Sequence, residues 1–143
     1  MTSLVVDASV AAKWYLPTND EALVAEARQL LESQAHGVLQ LLVPDLFWAE
    51  MGNILWKAVR KGRVTKDVAW AAMEGIGELS LASFSSHQLL PDALKIAFQY
   101  DRSVYDGFYV ALAVKSGTDL VTADERLVNA LASRLPVKWL GVV

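Results

Sequence analysis

Cysteine is absent from this chain, and its absence removes disulfides, thiolate nucleophiles and thiolate metal sites together. A reducing cytoplasm is the expected location. Histidine is scarce: His36 and His87 stand apart, neither with a nucleophile or ligand partner at a recognisable spacing. No P-loop and no dinucleotide glycine fingerprint occurs. Positive charge is not in surplus, since 16 acids face 13 bases for a net charge of −3. Such a chain is not held to nucleic acid by bulk charge, so any such contact must be local and assisted by a metal. Long apolar runs are missing too. The longest, Phe108 to Val114, is seven residues, against the roughly 18 of a membrane span. No basic segment followed by a long apolar one opens the chain, so no signal peptide is expected. Linkers, repeats and low-complexity segments are absent.

What remains is a chain of 143 residues, enough for one domain over 1–143 with its own core. Its apolar fraction of 54% and mean hydropathy of +0.29 are high for a small soluble protein. Two explanations stand side by side: a well-filled core, or a buried interface with a second copy or a partner helix.

Short runs rich in Val and Leu alternate with helical patterns. Strands are expected at Leu4 to Val6, Leu41 to Val43, Leu79 to Phe84, Leu120 to Thr122 and Val137 to Leu140. Helices are expected at Ser9 to Leu16, Asp20 to Gln34, Asp45 to Arg60, Lys66 to Gly77, Ser86 to Tyr100, Asp106 to Ser116 and Asp124 to Ser133. This alternation predicts an α/β domain with a parallel sheet covered by helices. Pro17 should end the first helix. Gly62 and Gly117 fall where helix C-caps need them. Thr65 and Ser86 are candidate N-caps, and Pro91 sits in the first turns of its helix.

Four acids occupy informative places. Asp7 closes the run Leu4-Val5-Val6, and Asp124 follows Leu120-Val121-Thr122-Ala123. In an open α/β sheet ligands bind outside the carboxyl ends of the strands, where both acids would lie. Asp106 opens the segment Asp106-Gly107-Phe108-Tyr109. Each of the three has a plain alternative as a helix cap, because a carboxylate accepts from free amides there. One carboxylate can also do both. Glu50 differs, since it stands three after Phe47 and four before Ile54, on or beside the apolar stripe of its helix. A carboxylate out of water there must be paired, hydrogen-bonded or bound to a cation; otherwise it bends out to solvent. If the acids converge they form an oxygen cage suited to Mg²⁺ or Mn²⁺ and to phosphodiester chemistry. Ser9 and Thr122, two residues from Asp7 and Asp124, could orient a carboxylate or hold an ion's water; local turn bonding is the alternative.

Other acids need no function. Glu21, Glu26, Glu32, Asp67 and Glu74 take ordinary polar positions on helices, and Asp119 precedes its strand at the opposite edge. Lys57, Arg60, Lys61, Arg63 and Lys66 gather five bases within ten residues. They could steer RNA phosphates, or simply complement a helix C-terminus. The five tryptophans are candidate core or interface anchors. Trp14, Tyr15 and Trp48 are a candidate partner surface.

The segments Leu-Val-Val-Asp7-Ala-Ser9-Val, Ala-Glu50-Met-Gly-Asn-Ile-Leu, Ser-Val-Tyr-Asp106-Gly-Phe-Tyr-Val-Ala-Leu-Ala and Leu-Val-Thr122-Ala-Asp124-Glu-Arg-Leu resemble the PIN-domain ribonucleases, nearest to the VapC-like toxins of prokaryotic toxin–antitoxin pairs. The likeness spans nearly the whole chain in order and spacing. It implies a five-stranded parallel sheet in the order 3-2-1-4-5 with helices on both faces. It implies an acidic site for one or two Mg²⁺ or Mn²⁺ ions, with Asp7, Glu50, Asp106 and Asp124 in the acidic positions and Thr122 in the hydroxyl position. It further implies an RNA substrate, a homodimer and a cognate antitoxin whose C-terminal segment blocks the site. Gly107 stands where many relatives carry Ala, a departure expected to matter little.

The expected chemistry is metal-assisted hydrolysis of RNA, with the 3′ oxygen leaving and a 5′ phosphate formed. Asp7 and Asp106 would be the main ligands. Asp124 would serve a second ion or act through water, and Glu50 would hold or help deprotonate the attacking water. A phospho-acceptor signalling domain shares the acidic Mg²⁺ site but wants an Asp after the third strand, where Ser85-Ser86-His87 stands. A phosphatase wants an Asp where Ser9 stands. A non-catalytic binding module would not need all four acids.

Overall fold

The structure is a computed structural model and describes residues 2–17 and 23–143. Among them, five strands and seven α-helices alternate. In chain order they are β1 (Thr2–Val6), α1 (Ala8–Tyr15), α2 (Val24–Ala35), β2 (Leu39–Pro44), α3 (Leu46–Arg60), α4 (Lys66–Gly77), β3 (Ala82–Phe84), α5 (Ser86–Tyr100), α6 (Val104–Ser116), β4 (Asp119–Thr122), α7 (Glu125–Leu131) and β5 (Val137–Trp139), followed by a single 3₁₀ turn at Leu140–Val142. All pairings are parallel and the order is β3-β2-β1-β4-β5. Val5, Val6, Leu41, Val43, Leu120 and Val121 are fully buried. Continuous Val/Leu runs, rather than alternation, are what a sheet covered on both faces requires.

The chain leaves β1 toward β2 and β3, then returns across the sheet to place β4 on the far side of β1. Right-handed crossovers put connections of opposite direction on opposite faces. The return is made by α5 and α6. Helix α6 is buried from Gly107 through Ala113 and packs against β1, β2 and β4 on one side and α5 on the other. A helix apolar all round is a core helix, which explains the seven-residue apolar run.

Several boundaries differ from those expected. The helix read from Asp20 is described only from Val24, and Asp20 and Glu21 lie outside the described residues. Strand β2 is longer than expected because Gln40, polar in a buried strand, is satisfied at the Ser80 carbonyl (2.9 Å). Strand β3 begins only at Ala82, since it pairs with β2 alone over three residues. Ser85, not Ser86, caps α5 by accepting from the Gln88 amide (3.4 Å). The Ser86 hydroxyl instead accepts from Leu46 (3.3 Å), while Asp45 accepts from the Ser86 amide (3.1 Å), tying the starts of α3 and α5 together. Thr65 caps α4 as expected, and Gly62 and Gly117 take positive φ after α3 and α6. Trp14 is core, its indole donating to the Ala27 carbonyl at 2.8 Å, and is not part of an exposed face.

Gly107 is not a neutral departure. A Cβ built there would lie 2.4 Å from the Ala93 carbonyl oxygen of α5, a backbone atom that cannot rotate away. Gly52 on α3 has nothing within 4 Å of the same position. Gly107→Ala is therefore expected to destabilise by about 1–3 kcal/mol through overpacking. Gly52→Ala should be neutral or stabilising by up to ~1 kcal/mol through helix propensity. Denaturant midpoints of the two variants, at unchanged m-value, check the contrast.

Candidate active site

Strand β1 is followed by connections toward one edge of the sheet and its neighbour β4 by connections toward the other. The crevice at their carboxyl ends is where such a sheet binds ligands. Asp7 follows β1 and Asp124 lies two residues past β4. Asp119, the first residue of β4, is at the opposite edge and pairs with Lys138 at 2.9 Å.

Asp7 caps α1 and does more. Its Oδ1 accepts from the amides of Ser9 (3.1 Å) and Val10 (3.3 Å) and from the Ser9 hydroxyl (2.5 Å). Its Oδ2 accepts from the Thr122 hydroxyl at 2.5 Å. Both hydroxyls are themselves held across the sheet. Ser9 Oγ accepts from the Ala123 amide (3.1 Å), and Thr122 Oγ1 accepts from the Asp124 amide (3.0 Å). Thr122 is wholly buried. Thus the two hydroxyls latch the end of β1 to the turn after β4, and Ser9 is bonded well beyond its own turn. No cation is among these partners. Burial raises the Asp7 pKa above 3.8, and the hydrogen bonds from Ser9, Thr122 and the backbone only oppose it.

Asp124 caps α7 through the amides of Arg126 (3.0 Å) and Leu127 (3.4 Å). Asp106 caps nothing. Ser103 is the N-cap of α6, and its hydroxyl accepts from the Asp106 amide at 3.1 Å. The helix starts two residues before the expected point, and Asp106 is left half-buried in its first turn with its carboxylate not needed for capping. Its pKa is raised by burial and by Asp124, against Ser103 and Arg102. Glu50 neither bends away nor meets a base. Its Oε1 accepts from the Tyr109 hydroxyl at 2.7 Å. Burial raises its pKa above 4.5, Tyr109 opposes, and Asp7 and Asp106 add to the rise. The four acids are therefore linked by mutual repulsion: Asp7 with Glu50, Glu50 with Asp106, Asp106 with Asp124.

Tyr109 and Arg102 were not legible as site residues. A phenol inside an apolar run reads as core, although its place three after Asp106 sets both on one face of α6. The Tyr109 hydroxyl is held protonated, its pKa pushed far above 10 by burial and by Glu50.

The donor set is oxygen only, negative and partly desolvated, which is the chemistry a hard divalent cation matches. Among the described residues no three His, Cys, Asp or Glu side chains stand close enough together to hold an ion as they are. The fit is one of donor type and uncompensated charge. No carboxylate ends β3, whose sequel Ser85 and Ser86 serves the helix joint, so the phospho-acceptor arrangement is absent.

The PIN domain family matches residues 4–131 of this chain. Ribonuclease VapC3 of Pyrobaculum aerophilum is 37% identical over 126 residues, covering 87% of this chain and 91% of that protein. The chain is a PIN-domain protein of the VapC family. A crystal structure of a Pyrobaculum aerophilum protein superposes on this PIN domain with a TM-score of 0.70 at 26% identity, over 99% of this chain and 85% of that one. The VapBC2 structure from Rickettsia felis, bound to a promoter DNA fragment, shares the fold with a TM-score of 0.69 at 11% identity, over 96% and 98% of the two chains. The PIN match includes all four acids, Ser9, Thr122 and Tyr109.

Two expectations follow for the metal-free PIN domain. Asp106→Asn removes one repelling charge and no cap, so it should stabilise by on the order of 1–2 kcal/mol, as functional-site substitutions commonly do. Ser103→Ala removes the true cap and should destabilise by about 1 kcal/mol. Thermal melts in chelator compare them. The pH dependence has a definite sign. Above 3.8 for Asp and 4.5 for Glu, the folded protein holds protons on Asp7, Glu50 and Asp106 that the unfolded chain releases. As pH falls through the elevated native pKa values toward 4.5 and 3.8, metal-free stability should therefore rise, since the state binding more protons gains as pH falls. A melt in chelator that weakens over that interval would contradict this assignment.

Proposed function

We propose that this chain is a divalent-metal-dependent endoribonuclease, the toxin of a toxin–antitoxin pair acting on cytoplasmic RNA. The observation that carries it is the run of mutual repulsions joining Asp7 to Glu50, Glu50 to Asp106 and Asp106 to Asp124, with the hydrogen bonds to Asp7 and Glu50 among the described residues coming from neutral donors. Support comes from a relative named a ribonuclease at 37% identity.

Asp7 and Asp106 are assigned as the main holders of Mg²⁺ or Mn²⁺, with Asp124 and Glu50 completing the acidic wall. When bound, the ion supplies positive charge that neutralises the phosphate and acidifies the attacking water. Asp7 is kept in one orientation by Ser9 and Thr122, leaving the second lone pair of Oδ2 for the crevice. Glu50 is fixed at one oxygen by Tyr109, so its other oxygen is available to receive the proton of the attacking water. Arg102, close enough to lower the Asp106 pKa, is available to an RNA phosphate.

The partner assignments belong to the same proposal. Trp56 and Trp70 are 54% and 61% exposed and flank a groove of about 350 Å³ between α3 and α4, with Leu55, Val59 and Met73 in its lining. Arg60 lies over the Trp56 ring at 5.2 Å. Apolar side chains left open to this extent suit burial by an antitoxin segment or by a second copy in a homodimer. The described helices include none long and apolar enough to cross a membrane.

Purified protein should cut RNA in Mg²⁺ or Mn²⁺ and stop in chelator. Asp7→Ala should lower cleavage by on the order of 100-fold or more, beyond what loss of an orienting neighbour gives, and should relieve growth inhibition when the chain is expressed alone. Full cleavage in chelator would overturn the metal assignment.

A further inference from the structure

Tyr109 belongs to none of the four acidic positions, yet it links two of the elements that carry them. It sits on α6, three residues after Asp106, so both point from one face of that helix. Its hydroxyl donates to Glu50 Oε1 on α3 at 2.7 Å. The hydroxyl also lies near the backbone of Ala8, the residue next to Asp7. Asp7 itself caps the two following amides, Ser9 and Val10. A carboxylate oxygen only accepts, so the phenol proton is directed to Glu50. One buried hydroxyl, on a residue only 3% exposed, thus ties α6 to Glu50 of α3.

We propose that Tyr109 is a positioning residue that locks Glu50 Oε1 and thereby presents Glu50 Oε2 to the cation and water of the β1–β4 crevice. The inference rests on the proposed metal-dependent function and adds a residue to it. Without this bond, Glu50 would be a half-buried carboxylate repelled by Asp7 and Asp106, free to rotate away from both. A hydrogen bond that fixes a ligand's orientation is typically worth 10- to 100-fold in metal affinity or activity.

The test is a comparison of Tyr109→Phe, Glu50→Ala and the double variant. Each is melted with and without Mn²⁺ and assayed on RNA. Phenylalanine preserves the packing of the ring. The expected result is a cooperative melt for Tyr109→Phe, a Mn²⁺ concentration for half-maximal stabilisation raised about 10-fold or more, and a similar fall in cleavage. In the Glu50→Ala background the same substitution should leave the Mn²⁺ response unchanged, because there is no carboxylate left to position. Equal losses in both backgrounds, or a wild-type Mn²⁺ response in Tyr109→Phe, would overturn the role of Tyr109 alone. Wild-type protein that neither shifts with Mn²⁺ nor cuts RNA would overturn the metal-dependent function and this inference with it. Glu50→Asp gives a second measure independent of how Tyr109→Phe folds. It keeps the charge but withdraws the carboxylate from Tyr109 by one methylene, so its Mn²⁺ response should fall as far as that of Glu50→Ala. A full response in Glu50→Asp would mean that charge without position suffices, against the proposal.

Discussion

The hydrogen bonds from Ser9 and Thr122 to the Asp7 carboxylate are the contacts on which the rest of this molecule depends. Parallel strands β1 and β4 are neighbours in space but separated in sequence by almost the whole chain, and all of α1 through α6 lies between them. Their backbones pair along the strands. Past the strands, where the ladder ends, the two hydroxyls continue the join. A wholly buried Thr122 that donates to Asp7 and accepts from the Asp124 amide has no spare proton and no unmet need. Such a doubly used hydroxyl fixes geometry more tightly than the modest net energy of one hydrogen bond suggests.

That arrangement satisfies the carboxylate with neutral donors only. Neutral donors orient a carboxylate without cancelling its charge, so the field at the crevice stays negative. A cationic donor to Asp7 would cancel that charge and remove the negative field a metal ion needs. The raised pKa values of Asp7, Glu50 and Asp106 are the visible sign of this choice. Groups shifted by burial and by each other, and placed together in a crevice, are what functional sites commonly show. The small net charge of −3 obscures it, because the charge that matters is local.

Much of this was legible beforehand. Val and Leu runs ending in Asp7 and near Asp124 marked two strand ends, and the order of the sheet came with the resemblance of the four motifs. Glu50 was recognisable because a carboxylate beside an apolar stripe needs a reason. Other features left no local trace. Ser103 gave no stronger signal than Asp106 as the start of α6, since either side chain can cap a helix. Ser85 and Ser86 are identical residues, and only the fold decides which one caps α5 and which reaches Leu46. Tyr109 was hidden by its own ring, whose bulk belongs to the core while its hydroxyl reaches Glu50. Gly107 reads as interchangeable with Ala in the sequence because the atom that forbids a methyl group is a carbonyl of another helix.

That carbonyl has a wider meaning. The residue before Gly107 is Asp106, and the one two after it is Tyr109, so the tightest point of the α5–α6 crossing falls in the middle of the acidic helix's working turn. Side chains in a core can change rotamer to absorb a neighbour's growth, but two main chains in contact cannot. The working turn is therefore referenced to the backbone of α5 much as a tool is referenced to a fixed stop. Substitutions on α5 that tilt it by a fraction of an ångström, far from any carboxylate, would be transmitted to Asp106 and Tyr109 undamped.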